Sequence, residues 1–115
     1  MSDKKTSDAA DQWLKAVDEQ RYSDSWQATA EHFRNSVTAE SWEAQITDVR
    51  NKTGRLQARA LGSSTMIQDL PNAPAGSYIV REYASEFSVC GAIGERLTLM
   101  IEADGEPRVV GYYLI

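Results

Sequence analysis

The hydrophobic repeat of this chain changes length once, at Gly54. Ahead of that glycine, apolar residues recur at helical spacing: Ala10, Trp13, Leu14 and Val17, then Tyr22, Trp26, Ala30, Phe33 and Val37, then Ala39, Trp42, Ile46 and Val49. Each set lies on one face of a helix, and the short links between them predict neighbours that pack together. Ser7 or Asp8 is placed to cap the first helix and Thr38 the third. The second is expected to run unbroken from about Ser23. Gly54 is placed to end the third in the left-handed conformation that glycine tolerates.

Beyond Gly54 the pattern is pleated. Residues 55–61 alternate polar and apolar side chains, residues 77–87 are rich in Tyr, Ile, Val and Phe, and residues 95–103 put Leu97, Leu99 and Ile101 on one face. Asp104-Gly105 is a hairpin turn leading into a last strand over 108–115. The segment 69–76 carries two prolines and a glycine and reads as a loop, and the glycine-flanked 90–94 reads as a connection. Helices followed by strands give an α+β class: three N-terminal helices packed on a curved four-stranded antiparallel sheet. The 115 residues make one domain over 8–115, after a disordered polar tail at 1–7.

Composition narrows the chemistry. A net charge of −5 without a basic face argues against nucleic acid and against an anionic membrane surface. No apolar run reaches the ~20 residues of a membrane span. The single cysteine, Cys90, excludes an internal disulfide framework, and the single histidine, His32, points away from the apolar stripe of its helix. No phosphate-binding glycine motif, nucleophile elbow or metal-ligand spacing is present. The expectation is therefore no catalytic residue, no metal and no cofactor. The N-terminus has no leader-like apolar stretch, which reads as cytoplasmic, or as periplasm or cell envelope if a leader was removed.

A longer pattern joins these elements. It comprises Trp13-Leu14 with Val17-Asp18, Tyr22-Ser23-Asp24-Ser25-Trp26, Phe33, Trp42, Val49-Arg50 with Gly54, and Arg59. It continues through Leu70-Pro71-Asn72-Ala73-Pro74, Gly76, Tyr78, Tyr83, Ser85, Phe87 and Glu95, and closes with Asp104-Gly105 and Arg108-Val109-Val110-Gly111-Tyr112-Tyr113. In this the chain resembles the bacterial family catalogued as domain of unknown function 4019, from about residue 9 to the C-terminus. The resemblance implies a relative of the nuclear transport factor 2-like and cystatin-like cone folds, and a cell-envelope setting for members with export leaders. It implies no reaction. Pro107 stands where the family usually has an aromatic residue; proline there removes a ladder donor and predicts an edge strand or a strand start.

The candidate ligand-binding residues are Trp26, Arg59, Arg81 and Tyr83. The tryptophans read first as core, with Trp26 a candidate to line a pocket between helices and sheet. Arg50 near a helix C-terminus offsets the helix dipole. A buried arginine needs a partner: an Arg59–Glu95 pair would be structural, whereas an unpaired arginine in a pocket would be an anion site. Arg81 and Tyr83 share one strand face. The favoured function is a non-enzymatic module binding a small apolar or anionic ligand, or a protein. One alternative is a ketosteroid-isomerase-like enzyme drawing its base from Glu82 and its hydroxyls from Tyr83 and Tyr112. Another is a homodimer assembled through the sheet by the apolar last strand.

Overall fold

Helical pattern and strand pattern meet at a point that only glycine can occupy. Gly54 has φ +82°, and a Cβ there would stand 2.2 Å from Ser88 Oγ and 2.8 Å from the Val89 nitrogen. The computed structural model describes residues 2–115, with side chains from residue 4 onward. Four helices come first: α1 (Ser2–Asp18), α2 (Tyr22–Gln27), α3 (Glu31–Ser36) and α4 (Ala39–Thr53). Four strands follow: β1 (Leu56–Gln68), β2 (Ser77–Phe87), β3 (Gly91–Ile101) and β4 (Pro107–Leu114). The sheet is antiparallel throughout, in the order β1-β2-β3-β4. The α+β class and the helix-then-strand order are as expected, and the proline does start an edge strand.

The helices differ from expectation in two places. The expected second helix is broken into α2 and α3. The Ala30 N–H donates to the Val109 carbonyl at 2.7 Å, and Thr29 forms a parallel bridge with the same residue. Thr29 Oγ1 turns back to the Trp26 carbonyl at 2.6 Å, a local bond that competes with the helical ladder. Trp26, Phe33 and Val37 still pack on one core, so the apolar stripe survives the break. The first helix begins well before its expected cap, and residues 2–7, expected as tail, form its first turns. Lys4 pairs with Asp8 at 3.3 Å, Lys5 with Glu106 at 2.9 Å, and Thr6 is buried. Met1 lies outside the described residues.

The strands run longer than their sequence pattern. β1 continues to Gln68, with a register shift between Leu61 and Ser63. Its second half shows no burial alternation because no helix covers it: Leu61 is 48% and Met66 56% exposed. β3 starts at Gly91, so the expected 90–94 connection is mostly strand and the turn is the shorter piece before it.

The core lies between α1, α4 and the inner face of β2–β4, around Trp13, Leu14, Trp42, Ile46, Leu97 and Leu99. The Trp13 and Trp42 rings meet at 5.8 Å, and Phe33 stands edge-on to Trp42 at 5.6 Å. The Trp13 indole N–H donates to the Ser25 carbonyl and that of Trp42 to Ser25 Oγ, both at 2.9 Å, so both buried indoles are satisfied. Because α1 rests over β3 and β4, the inner face of β1 from Leu61 onward stands open beside its first turns, next to the buried Ile79 and Arg81 of β2.

Candidate functional site

Side chains alternate along a strand, so each strand presents every second residue to the helices. On β2 the inward row is Ser77, Ile79, Arg81, Tyr83, Ser85 and Phe87. The inner face thus carries two arginines, Arg59 from β1 and Arg81 from β2, one on each side of the Tyr83 register. Both guanidinium carbons lie near the Tyr83 ring, at 5.9 and 5.8 Å. Their surroundings differ.

Arg59 is closed in by charge. Its Nε and Nη2 donate to the two oxygens of Glu95 at 2.7 and 3.0 Å. Its Nη1 and Nη2 reach the two oxygens of Asp18 at 2.9 and 3.1 Å. Arg50, from α4, pairs with Asp18 at 3.0 Å and stands 3.8 Å from Glu95. Ser85 Oγ donates to Glu95 at 2.5 Å, and the Tyr112 hydroxyl donates to its other oxygen. Glu95 is 0% exposed. Burial alone would raise its carboxyl pKa, but the hydrogen bonds from Arg59, Ser85 and Tyr112 outweigh that and hold it below the ordinary value. Burial acts against the Arg59 charge too, and the bonds to Glu95 and Asp18 more than reverse it. For Tyr112, burial and the Glu95 charge push the hydroxyl up. Two cations and two anions from α1, α4, β1 and β3 therefore neutralise one another, with Ser85 and Tyr112 completing the Glu95 shell.

Arg81 is closed in by hydroxyls. It is 6% exposed, yet among the described residues it has no carboxylate within ion-pair distance. Its Nε donates to the Tyr83 hydroxyl at 2.9 Å and its Nη1 to Ser7 Oγ at 3.5 Å. Burial holds the Tyr83 hydroxyl pKa above its ordinary value; the Arg81 bond and charge oppose this, and the nearby Asp11 carboxylate adds to it. Arg81 lines a cavity of about 340 Å³ with Thr6, Ser7, Leu61, Ser64, Met66 and Ile79. Thr6 Oγ1 is buried and has no hydrogen-bond partner among the described residues. A second hollow of about 410 Å³ shares Thr6 and Met66 and continues past Ser77, Ile101 and Pro107. The two form one groove between the first turns of α1 and the uncovered half of β1, floored by β2.

The sequence-derived residues divide between these places. Arg81 lines the groove; Tyr83 accepts the hydrogen bond from its Nε at 2.9 Å but lines neither hollow. Arg59 takes the paired alternative, with Glu95 as the partner that the residue types suggested. Trp26 is half-buried in α2, with its indole N–H donating to the Val37 carbonyl at 2.8 Å, and it lines neither part of the groove. Arg50 belongs to the Glu95 cluster rather than serving the helix dipole alone. Thr6, Ser7 and Ser64 were not foreseen; the first two fell in the expected tail, and Ser64 lies beyond the expected end of β1. Extending the alternation of Arg59 and Leu61 would have put Ser63 on the inner face instead, because the register shift between Leu61 and Ser63 changes the phase and sets Ser64 opposite Arg81.

The enzyme alternative loses its base here. Glu82 points to the outer face, where it pairs with Arg96 at 2.9 Å and keeps 40% of its side chain exposed. The buried carboxylate beside a tyrosine hydroxyl is Glu95 instead, and a base for neutral pH needs its pKa raised, whereas this one is lowered. Among the described residues no group of three or more His, Cys, Asp or Glu is placed to hold a metal ion. Among the described residues no helix is long and apolar enough to cross a membrane. The last strand is indeed a sheet edge, but the Ala30–Val109 bond and the Thr29 bridge occupy part of it.

A family model described as a protein of unknown function, DUF4019, matches residues 9–112. No curated protein matches the chain.

Proposed function

The chain belongs to the DUF4019 family, and we propose that this member is a non-enzymatic binding module whose ligand enters the groove beside Arg81. One observation carries the reading: an arginine residue that is 6% exposed, without a carboxylate within ion-pair distance among the described residues. A buried charge is costly unless compensated. Two neutral hydroxyls supply dipoles, and Asp11, near enough to raise the Tyr83 hydroxyl pKa, makes no ion pair with Arg81; a small anion at hydrogen-bond distance would supply that pair. Arginine suits this role because its planar donor edge matches an oxyanion in two-point fashion. Leu61, Met66 and Ile79 line the same cavity with apolar surface. The larger hollow of about 540 Å³ between α1, α2 and β4 is a weaker candidate. Its guanidinium groups, Arg21 and Arg108, already pair with Glu19, Asp24, Glu102 and Asp104, and its third cation, Lys15, is exposed to solvent.

The reading is tested by titrating the protein with sodium acetate, at constant ionic strength, while following backbone amide chemical shifts. The amides of Thr6, Ser7, Ser64 and Arg81 are expected to move together and to saturate, and the movement is expected to vanish in Arg81→Gln. Shifts that never saturate, or that persist unchanged in the variant, overturn it. A dimer through the sheet is the second reading, supported by the length of uncovered β4 edge beyond Val109; light scattering that gives one chain per particle at micromolar concentration rejects it.

A further inference from the structure

We infer that the ligand of this groove is an amphipathic monocarboxylate: one carboxylate held at Arg81, with an unbranched apolar tail laid along the inner face toward Pro107. This rests on the proposed binding role of the Arg81 groove and specifies the ligand. The head is fixed by donor count. A guanidinium has five N–H groups. Arg81 commits its Nε to Tyr83 and one Nη1 hydrogen to Ser7, so the edge between Nη1 and Nη2 keeps free donors. That edge takes the two oxygens of a carboxylate side by side. Thr6 Oγ1, buried and unpartnered, lines the same space and supplies a further hydroxyl. Ser64 stands opposite Arg81 in the sheet.

The charge of the ligand follows from the absence of a second available cation among the described residues of the groove. Lys5 lines the far part of the groove, but its ammonium is 2.9 Å from Glu106. Arg59 is matched by Asp18 and Glu95. Asp11 lies near enough to raise the Tyr83 hydroxyl pKa, but no carboxylate among the described residues is within ion-pair distance of Arg81; one unpaired positive charge calls for one negative charge, so a phosphate dianion fits less well than a carboxylate.

The tail follows from the shape of the groove. From Arg81 the inward row of β2 passes Ile79 to Ser77, four residues or about 13 Å of strand. Met66 forms the wall shared by both hollows, and Ile101 and Pro107 line the far end. Ile79 is buried at the floor, whereas Met66 is exposed at the rim. A flexible thioether at the rim conforms to an unbranched chain. The groove is open along β1, so the tail enters sideways and no backbone rearrangement is needed.

The experiment is isothermal titration calorimetry with acetate, hexanoate and decanoate, each below its micelle-forming concentration, beside decanol and inorganic phosphate. Affinity is expected to rise with chain length, decanoate binding at least tenfold more tightly than acetate, with one site per chain. Decanol and phosphate are expected to bind at least tenfold more weakly than decanoate. Met66→Ser, at an exposed position that does not threaten the fold, is expected to reduce the gain from lengthening the tail. If acetate binds at Arg81 but decanoate binds no better, or phosphate binds more tightly, the ligand class is wrong and the proposed site stands. If decanoate binds equally well to Arg81→Gln, the site itself is wrong.

Discussion

Arg59 and Arg81 sit on the same face of the same sheet, against the same tyrosine ring, and have opposite electrostatic situations. Arg59 meets Asp18 and Glu95 and belongs to a closed cluster with Arg50. Arg81 meets Ser7 and Tyr83 beside an unpartnered threonine hydroxyl. The cluster lies under the helices, where each charge is surrounded by partners that the fold itself supplies. The groove lies where the helical layer stops short of β1. Burial alone therefore does not distinguish a structural arginine from a binding one; the identity of its partners does.

Removing one member of the closed cluster should have the largest effect. Glu95→Gln leaves Arg59 and Arg50 short of a counter-charge, and Arg59→Met leaves Glu95 and Asp18 short of one. Either is expected to lower unfolding free energy by about 3–5 kcal/mol, measured by urea denaturation. A cost under about 1 kcal/mol for both would erase the distinction drawn between the two arginines.

Acid should act on the cluster next. The folded Glu95 carboxyl titrates below its unfolded value, which for a glutamate is about 4.3. Its contribution is then complete above that value and disappears as pH falls through the folded one. Thermal unfolding followed from pH 6 down to about pH 2 should show a loss of stability starting near the ordinary glutamate range. The Glu95→Gln protein should show a shallower acid limb, and an equally steep one would assign the loss to other carboxylates.

The same methionine replacement at the second arginine is expected to behave differently. Arg81→Met removes a charge that has no carboxylate partner among the described residues, at the expense of the 2.9 Å bond to Tyr83. Its effect on unfolding free energy should stay within about 1 kcal/mol, the worth of one hydrogen bond, while anion binding is lost. A loss as large as that for Arg59→Met would show Arg81 to be structural. The smallest effect is expected at the rim: Met66→Ser at a 56% exposed position should change stability by no more than about 0.5 kcal/mol.

The sequence carried much of the fold because period is a local property. Trp13, Leu14 and Val17 announce a helix wherever it packs, and Leu97, Leu99 and Ile101 announce a strand. It failed where contacts from afar override local pattern. Ala30 sits in phase with Trp26 and Phe33, yet its N–H is taken by Val109, and the helix breaks there. Ser64 and Met66 belong to β1, yet the half of the strand they occupy has no helical cover, so no alternation marks it. Residues 2–7 are polar and read as tail, yet Thr6 is buried and Lys5 reaches Glu106.

What the sequence determined by itself is the switch at Gly54 from helical to pleated spacing, and with it the α+β order, because chain geometry ties each period to one kind of element. It also put Arg81 and Tyr83 on one strand face and offered Glu95 as a partner for Arg59. Which arginine would be neutralised was decided only by tertiary structure. Asp18 and Glu95 lie 41 and 36 residues from Arg59 along the chain. They meet it because α1 crosses over β3 and brings Asp18 beside β1, and charge compensation depends on distance through space rather than along the backbone.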